Sequence, residues 1–352
     1  MAPLALTACG DYDGSGSGNA PAMARGPEAS WADVVKAADT EGQLEVWSVL
    51  NPAHNAAVEA AFEKAYPSID LTIAQYGPPE ISTRVDAEQQ AGVGTVDVLL
   101  STDRMWHEKH LKDGYFQKIV GPDALAADEL LRNGAAPTTD GVPKATQTLY
   151  DDDTRLITSF AAWGYAWNTD AVNPAPSFES LFADDTYKGR IGMNDPNVNS
   201  VNAVLFGRLN ERYPGLFERL GELRPTLYAS SGPASEALGA GAVDAVLAIS
   251  GSAVAPVKKA GFAFDSQFPA LASPLYGEVL ASSESPNASQ LFVNWLMTPE
   301  GQEAWSAGYA SVLPNISTAN NSASGIEVFE AESVDPKKVA AWQDELNVAL
   351  GR

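Results

Sequence analysis

The sequence predicts an α/β protein whose sheet is mostly parallel. Three observations point to this class: short apolar strands alternate with helix-length segments, the connections are long enough for crossover helices, and 352 residues can bury two cores. A strand–helix–strand connection returns to the same sheet in a right-handed sense, so consecutive strands of this kind pair in parallel. We therefore expect helices on the faces of the sheet.

In the first half of the chain, helices and strands alternate regularly. The predicted order is helix 31–40, strand 44–48, helix 51–66, strand 69–73, helix 82–91 and strand 96–101. Apolar residues recur at three- and four-residue spacing in the helices and alternate in the strands. Ser30 is a typical N-cap, Gly42 ends the first helix and Pro67 ends the second.

In the second half of the chain, predicted strands and helices also alternate, in a different order. The predicted order is strand 161–167, helix 178–182, strand 191–193, helices 199–209 and 231–239, strands 243–249, 262–265 and 275–280, helix 287–296 and a helix opened at Thr298. The strongly amphipathic spacing at 287–296 predicts one buried face. Residues 1–28 are rich in Gly, Ser, Ala and Pro, which is typical of a flexible tether.

Charge and composition exclude several classes of function. The chain carries 22 basic and 45 acidic residues, a formal net charge of −23. Nucleic-acid binding and polybasic membrane contact both need clustered Lys and Arg, so we expect neither. No run of about 18 apolar residues occurs, so no transmembrane helix is predicted. Three histidines and one cysteine argue against structural zinc, and we predict no metal site and no cofactor.

The only cysteine of the chain, Cys9, lies in an unusual local sequence. The motif Leu6-Thr7-Ala8-Cys9, followed by the Gly/Ser-rich stretch 11–19, resembles a bacterial lipobox. That resemblance implies a signal peptide, a lipid on Cys9 and an extracytoplasmic protein anchored to the cell membrane. A signal peptide has a basic region and an apolar core of about 7–15 residues. The segment before Cys9 holds no Lys or Arg, so we expect sequence upstream of it. An ordinary cysteine in a disordered terminus is the alternative.

Polar residues gather where the predicted strands end. Ligands of open α/β sheets bind beyond the carboxyl ends of strands, and helix N-termini there attract anions. The candidates on this rule are Ser48, Asn51, Ser101, Thr102, Asp103, Asn194, Asn199, Ser200, Ser231, Gly232, Ser250 and Ser252. Each one is also a typical helix cap, which stabilises a helix by about 1 kcal/mol. The clusters together predict a ligand site rich in neutral donors.

Two aromatic residues complete the predicted site. Trp163 precedes Gly164, and Tyr276 precedes Gly277, near the expected edges of the folded units. We predict that Trp163, Gly164 and Tyr276 form walls of the ligand site, in preference to Trp47. Aromatic residues in strands are more often core residues, which is the alternative for both.

The sequence contains no recognisable catalytic constellation. His107 and His110 have helical spacing but no third ligand, and we expect them on an exposed helix after Trp106. The acidic run 151–153 is expected to be a solvated turn rather than a calcium site. No Gly-x-Ser-x-Gly elbow follows a strand. We therefore predict no catalytic residue and no enzyme activity.

Several segments carry a family resemblance through their order and spacing. They are 42–48, 62–67, 88–101, 166–170, 176–178, 187–191 and 288–302. Together they resemble a type II periplasmic solute-binding protein of an ABC importer, in the branch of ferric-ion, polyamine, thiamine and phosphonate receptors. The resemblance covers roughly residues 42–314 and implies two α/β lobes with a ligand cleft between them.

The resemblance implies a division of the chain and a set of partners. Residues 1–40 would hold the lipobox, tether and first helix, 41–105 plus 266–312 lobe 1, and 106–265 plus 313–352 lobe 2. The implied partners are a small-molecule solute and an ABC permease in the membrane, and we expect a monomer. A receptor that signals to a membrane sensor shares this fold, and a secreted enzyme on a similar scaffold is a further alternative.

The loop after the strand 243–249 bears on the ligand class. Ferric-ion receptors of the branch carry adjacent tyrosines there, whereas this chain has Ser250-Gly251-Ser252-Ala253. Hard cations need anionic oxygens, which these residues do not offer. The polar clusters favour a neutral or anionic organic solute. Ferric-ion and polyamine receptors stay open as alternatives.

Overall fold

The structure is a computed structural model that describes residues 30–134, 147–183, 185–198, 200–258, 260–263, 270–319, 321–322, 326–328 and 334–352. Its helices are α1 Trp31–Glu41, α2 Pro52–Ala65, α3 Pro78–Ala91, α4 Arg104–His110, α5 Pro122–Gly134, α6 Phe178–Ala183, α7 Ser200–Arg212, α8 Leu216–Leu223, α9 Ser231–Gly239, α10 Gly251–Val254, α11 Pro286–Trp295, α12 Pro299–Trp305 and α13 Pro336–Leu350. None of these helices has the length and apolar character that crossing a membrane requires.

The strands form one mixed sheet. They are β1 Gln43–Ser48, β2 Asp70–Gln75, β3 Val98–Ser101, β4 Leu149–Tyr150, β5 Arg155–Asn168, β6 Ile191–Asn194, β7 Thr226–Tyr228, β8 Ala245–Ser250, β9 Ala260–Ala263, β10 Ala270–Val279, β11 Ala310–Ser311, β12 Asn321–Ser322 and β13 Ile326–Val328. The main path runs β2-β1-β3-β10-β5-β8-β6-β7. Pairing is parallel within β1–β2–β3 and within β6–β7–β8, and the long strands β5 and β10 join these blocks antiparallel. The predicted α/β class is confirmed, but the prediction of a mostly parallel sheet is wrong. Six of the twelve strand pairings among the described residues are antiparallel, because β5 runs antiparallel to every strand it pairs with.

The central strand β5 begins six residues before the predicted strand. The hydropathy pattern does not predict its first part, because buried polar residues interrupt the apolar ones. Thr158 Oγ1 donates to the carbonyl of Leu275 at 3.1 Å, and Ser159 Oγ donates to the carbonyl of Ala310 at 2.9 Å. These bonds satisfy the two hydroxyls inside the sheet, which allows polar residues in a fully buried strand.

The helix α11 is buried nearly all round, whereas its spacing predicted one buried face. Every residue from Ala288 to Trp295 is buried. Its polar side chains are paired inside the core, since Gln290 Nε2 donates to the Lys118 carbonyl at 2.8 Å and Asn294 Oδ1 accepts from the Asp123 N–H at 2.8 Å. An amide paired in this way is tolerated at a core position.

The two larger hydrophobic cores include successive parts of β5, residues 156–162 in the first and Tyr165 and Trp167 in the second. Phe62 packs against Trp295 in the first, with ring centroids 5.3 Å apart. The second lies among α7, α8 and α13. The first core also includes Ile119, Leu131 and Leu149, from the stretch that the predicted boundaries place in lobe 2. The division into lobes stays a prediction.

The two cores meet at a close backbone contact along one edge of β5. There β11 pairs opposite Phe160, and β8 pairs opposite Trp163, so the start of β11 lies next to the end of β8. Gly308 lies at this junction with φ +75°, and a Cβ on it would lie 3.0 Å from the Ser252 Cα. Only glycine combines this conformation with this approach. We call this contact the Gly308–Ser252 seam.

Candidate ligand-binding site

The carboxyl ends of the two parallel blocks point toward each other along β5. Ser101 of β3 pairs with Tyr276, which pairs with Ile157, while Ser250 of β8 pairs with Trp163. Trp163 lies six residues after Ile157 in β5, which corresponds to about 20 Å at a rise of about 3.3 Å per residue. The first edge contains Ser48, Asn51, Ser101, Thr102, Asp103 and Tyr276. The second edge contains Trp163, Gly164, Asn194, Ser231, Gly232, Ser250 and Ser252.

Ser48 and Asn51 of the first edge form local structure. Ser48 is fully buried, and its Oγ accepts from the Leu50 N–H at 3.1 Å. Asn51 caps α2 through Oδ1, which accepts from the His54 N–H at 2.9 Å. Both side chains stabilise the turn that links β1 to α2, as the capping alternative predicts.

Ser101 and Asp103 repeat this arrangement after β3. The Ser101 Oγ accepts from the Asp103 N–H at 3.1 Å. Asp103 caps α4 by accepting from the Trp106 N–H at 3.0 Å, and its other oxygen accepts from Ser82 Oγ at 2.7 Å. Thr102 lies between them and is half-buried. The side-chain oxygens of Ser101 and Asp103 are therefore engaged in local bonds.

Behind the first edge lies a buried ionic network that sequence reasoning missed. Tyr276 is buried, and the Arg155 guanidinium lies over its ring at 4.5 Å. Arg155 Nε is 2.8 Å from Asp151 Oδ2. On the same face of β10, Glu278 Oε1 lies 2.8 Å from Nδ1 of His107. Residues 151 to 278 are far apart in sequence, so no local spacing signals this network.

The prediction that His107 and His110 lie on an exposed helix is wrong. His107 is fully buried, and its ring stacks on Phe116 at 4.0 Å. His110 is also buried, with Nδ1 2.9 Å from Asp113 and its ring stacked on Tyr115 at 4.5 Å. Carboxylates and aromatic rings from other segments surround both imidazoles, which makes burial of these polar rings possible.

The second edge has a different hydrogen-bonding state. Ser231 Oγ accepts two bonds, from Asn194 Nδ2 at 3.1 Å and from the Ser250 N–H at 3.2 Å. Asn194 is 2% exposed, and its Oδ1 has no hydrogen-bond partner among the described residues. The indole Nε1 of Trp163 is also buried without a partner there. Ser250 Oγ and Ser252 Oγ lie 2.9 Å apart.

The start of α9 leaves backbone donors at the second edge. Ser230 occupies the N-cap position, but its side chain makes no capping bond. In the part of the chain that the structure describes, the N–H groups of Ser231 and Gly232 also have no acceptor. First-turn N–H groups carry the positive end of the helix dipole. This helix start can therefore accept a negatively polarised group.

A bulge in β8 sets the direction of the second edge. The register with β5 shifts between Gly164 and Ala166, and Ala248 has φ +55°. A bulge of this kind re-aims the residues that follow it, here Ile249 and Ser250.

Three predicted positions have little or no structural description. Asn199 and Cys9 lie outside the described residues. Ser200 begins α7, as its capping position predicts.

The loop after Asn194 is bonded to the C-terminal helix. Asp195 Oδ2 accepts from Arg352 at 2.8 Å, and Oδ1 accepts from the Asn197 N–H at 2.9 Å. Asn197 and Asn347 exchange amide bonds at 2.9 Å. Burial raises the pKa of Asp195, but the bonds from Arg352 and Asn197 together hold it below its usual value. Cavities of about 460 and 370 Å³ that share Arg352 lie beside this helix.

Residues 57–330 match the model of a family described as bacterial extracellular solute-binding protein, which is more than half of the chain. The chain belongs to this family. The predicted resemblance is thereby confirmed. Members are transport binding proteins that bind small-molecule solutes and work with ABC permeases, and membership implies an extracytoplasmic location. No relative is found among curated protein sequences.

Solved structures share the fold of this solute-binding protein at low sequence identity. The substrate-binding protein of an ABC transporter from Agrobacterium tumefaciens has a TM-score of 0.64 and 17% identity, with 90% of this chain and 97% of that one covered. Iron-bound HitA from Pseudomonas aeruginosa has a TM-score of 0.56 and 18% identity, with 88% and 97% covered. A periplasmic thiamin binding protein has a TM-score of 0.54 and 18% identity, with 88% and 96% covered. The predicted two-lobe, type II fold is confirmed.

Proposed function

We propose that this solute-binding protein is a lipid-anchored receptor that captures a small polar organic solute, neutral or anionic, between its two edges and delivers it to an ABC importer. One observation carries the proposal: the carboxyl ends of two parallel strand blocks face each other across β5, with polar groups at both. A monomer with no catalytic residue and no cofactor is sufficient for this function.

Closure follows from the same geometry. The two edges lie about 20 Å apart along β5, and a ligand shifts the balance toward a closed form only through contacts it makes better there. A solute held by the Ser101 edge and the Ser231 edge makes such contacts. We therefore propose that Ser48, Asn51, Ser101, Thr102, Asp103 and Tyr276 bind from one lobe, and Trp163, Gly164, Asn194, Asn199, Ser200, Ser231, Gly232, Ser250 and Ser252 from the other.

Small-angle X-ray scattering of the full chain with a bound solute tests capture and closure. The radius of gyration should fall, and the melting temperature should rise, since solute at about 100 times its Kd adds about 2.7 kcal/mol. Ser101→Ala, Trp163→Ala and Ser231→Ala should each weaken binding while the fold stays intact. Unchanged affinity in all three variants contradicts the site.

The loop Ser250-Gly251-Ser252 supports an organic solute over ferric ion. It has no tyrosine, whereas ferric-ion receptors of the branch carry adjacent tyrosines there. We expect no tight binding of ferric ion when ferric citrate is added. A strong visible charge-transfer band with submicromolar affinity would instead establish the ferric alternative.

Lipid anchoring rests on the motif that ends at Cys9. With the native upstream sequence present, Cys9→Ala should move the protein from the membrane fraction to the soluble fraction. Continued membrane association of the variant contradicts the anchor. A neighbouring gene for a permease, rather than a membrane sensor, would favour import over signalling. Turnover in a broad hydrolase screen would favour the enzyme alternative.

A further inference from the structure

The hydrogen-bonding state of Ser231 indicates what the second edge can offer a ligand. A hydroxyl has one donor and two acceptor positions. Both acceptor positions of Ser231 are filled by N–H donors, from Asn194 and Ser250. Only its O–H remains, and no described residue accepts it. Ser231 therefore has an O–H donor that can bind an acceptor of the ligand.

Other donors lie around this hydroxyl. The N–H groups of Ser231 and Gly232 open the nine-residue helix α9 without a capping side chain. All of these groups are neutral donors. Donors at a helix N-terminus favour an anionic acceptor, because the helix dipole is positive there.

Asn194 supplies the opposite requirement. Its side chain is 2% exposed, and its Oδ1 has no partner in the described part of the chain. A buried acceptor in this state needs a donor. A hydroxyl or N–H of the ligand, beside the acceptor group, provides one. Hydrogen-bond donors thus outnumber acceptors at this edge. A complementary ligand group must therefore have more acceptors than donors.

The carboxylate next to Asn194 in the chain is engaged by other groups. Asp195 follows Asn194, but Oδ2 accepts from Arg352, and Oδ1 accepts from the Asn197 N–H. Its charge is compensated by Arg352 and directed toward α13.

We propose that the second edge binds an oxyanion, a carboxylate or phosphate group that carries a neighbouring hydroxyl or N–H, at the start of α9. This proposal rests on the proposed function and narrows its solute class. Ser231 and Gly232 donate to the oxyanion, and Asn194 Oδ1 accepts from the neighbouring donor of the solute.

Amide NMR of the full chain tests this site with inorganic phosphate and acetate as separate probes. A probe that binds the site should shift the Ser231 and Gly232 amide signals saturably. The probe with the higher affinity identifies the class of oxyanion. Asn194→Asp has almost the same shape but adds a negative charge, so it should weaken the effect at least about tenfold. Ser231→Ala should also weaken it. Ser177→Ala, which removes another helix-start serine that accepts from the Ser180 N–H, should not.

The outcomes separate this inference from the proposed function. Absence of saturable shifts with both probes overturns the oxyanion site, as do shifts that survive both Asn194→Asp and Ser231→Ala in folded variants. A neutral solute that closes the lobes while these amide signals stay unchanged overturns the inference and leaves the proposed function intact. Saturable phosphate or acetate shifts, with no solute able to close the lobes, support the site and contradict the proposed function.

Discussion

The two edges that face each other along β5 have similar sequences and different hydrogen bonding. At the first edge, Ser48, Ser101 and Asp103 each accept bonds that hold a turn or a helix start. At the second edge, Asn194 and Trp163 keep buried polar atoms without described partners. The first edge thus uses Ser and Asp oxygens to hold local structure, whereas the second edge contains an Asn oxygen and a Trp N–H without described partners.

This difference indicates where ligand selectivity lies. An engaged oxygen must give up its local bond before it binds a ligand, whereas an unsatisfied buried atom gains a bond outright. The second edge should therefore distinguish solutes by their polar groups. The first edge should provide a rigid surface, supported by the ionic network beneath Tyr276.

The largest expected effect comes from the buried pair behind the first edge. His107→Ala leaves Glu278, which is 1% exposed, without its imidazole partner. Loss of one member of a buried pair costs about 3–5 kcal/mol of unfolding free energy, measured by urea denaturation. Arg84→Ala breaks an exposed pair with Glu80 and should cost under about 1 kcal/mol. Equal losses would mean that the first edge does not depend on the network.

The Gly308–Ser252 seam, which joins the two regions, should give the next largest effect. Gly308→Ala forces a Cβ to within 3.0 Å of the Ser252 Cα at φ +75°. Gly114→Ala is the matched control, because Gly114 has φ +74° with open space around it. The left-handed conformation alone costs about 1–2 kcal/mol in both variants. Gly308→Ala should lose about 1 kcal/mol more in urea unfolding. If both variants lose the same free energy of unfolding, the backbone at the Gly308–Ser252 seam can move to accommodate a Cβ without cost.

A smaller effect separates binding from stability at the second edge. Trp163→Phe removes a buried N–H that has no described partner, so the free energy of unfolding should change by less than about 1 kcal/mol. Solute affinity, measured by calorimetry, should fall by roughly 2–10-fold. Trp305→Phe should do the opposite, because Trp305 Nε1 donates to Thr158 Oγ1 at 2.9 Å in the first core. Lost stability without lost affinity in Trp163→Phe would contradict this role.

The smallest effect concerns pH and the loop that follows Asn194. Since the folded-state pKa of Asp195 lies below its usual value, its contribution to stability is present above about pH 4. That contribution is lost as the pH falls through the folded pKa. Arg352→Ala should reduce this part of the acid sensitivity, by under about 1 kcal/mol because the pair is partly exposed. If wild type and variant have identical unfolding profiles against pH, the Asp195–Arg352 pair does not contribute to acid sensitivity.

The sequence alone determined the local and repetitive features of this protein. Alternation of strands and helices predicted the α/β class, and the capping roles of Ser30 and Asn51 follow from residues within three positions. The order of short segments indicated the family. Strand ends marked where polar residues gather, because the carboxyl-edge rule needs only the order of elements.

Tertiary structure decided which of those polar residues are already satisfied. His107 is buried against Glu278, and Gly308 closely approaches Ser252. The side chain of Asn194 donates to the Ser231 hydroxyl, which leaves its Oδ1 without a described partner. The helices α8 and α13 carried no sequence prediction, yet both enclose the second core. Each of these contacts joins residues far apart in the chain, and local periodicity contains no information about such pairs. Hydrogen-bond satisfaction is a property of the folded neighbourhood, so only the fold could separate caps from candidate ligand contacts.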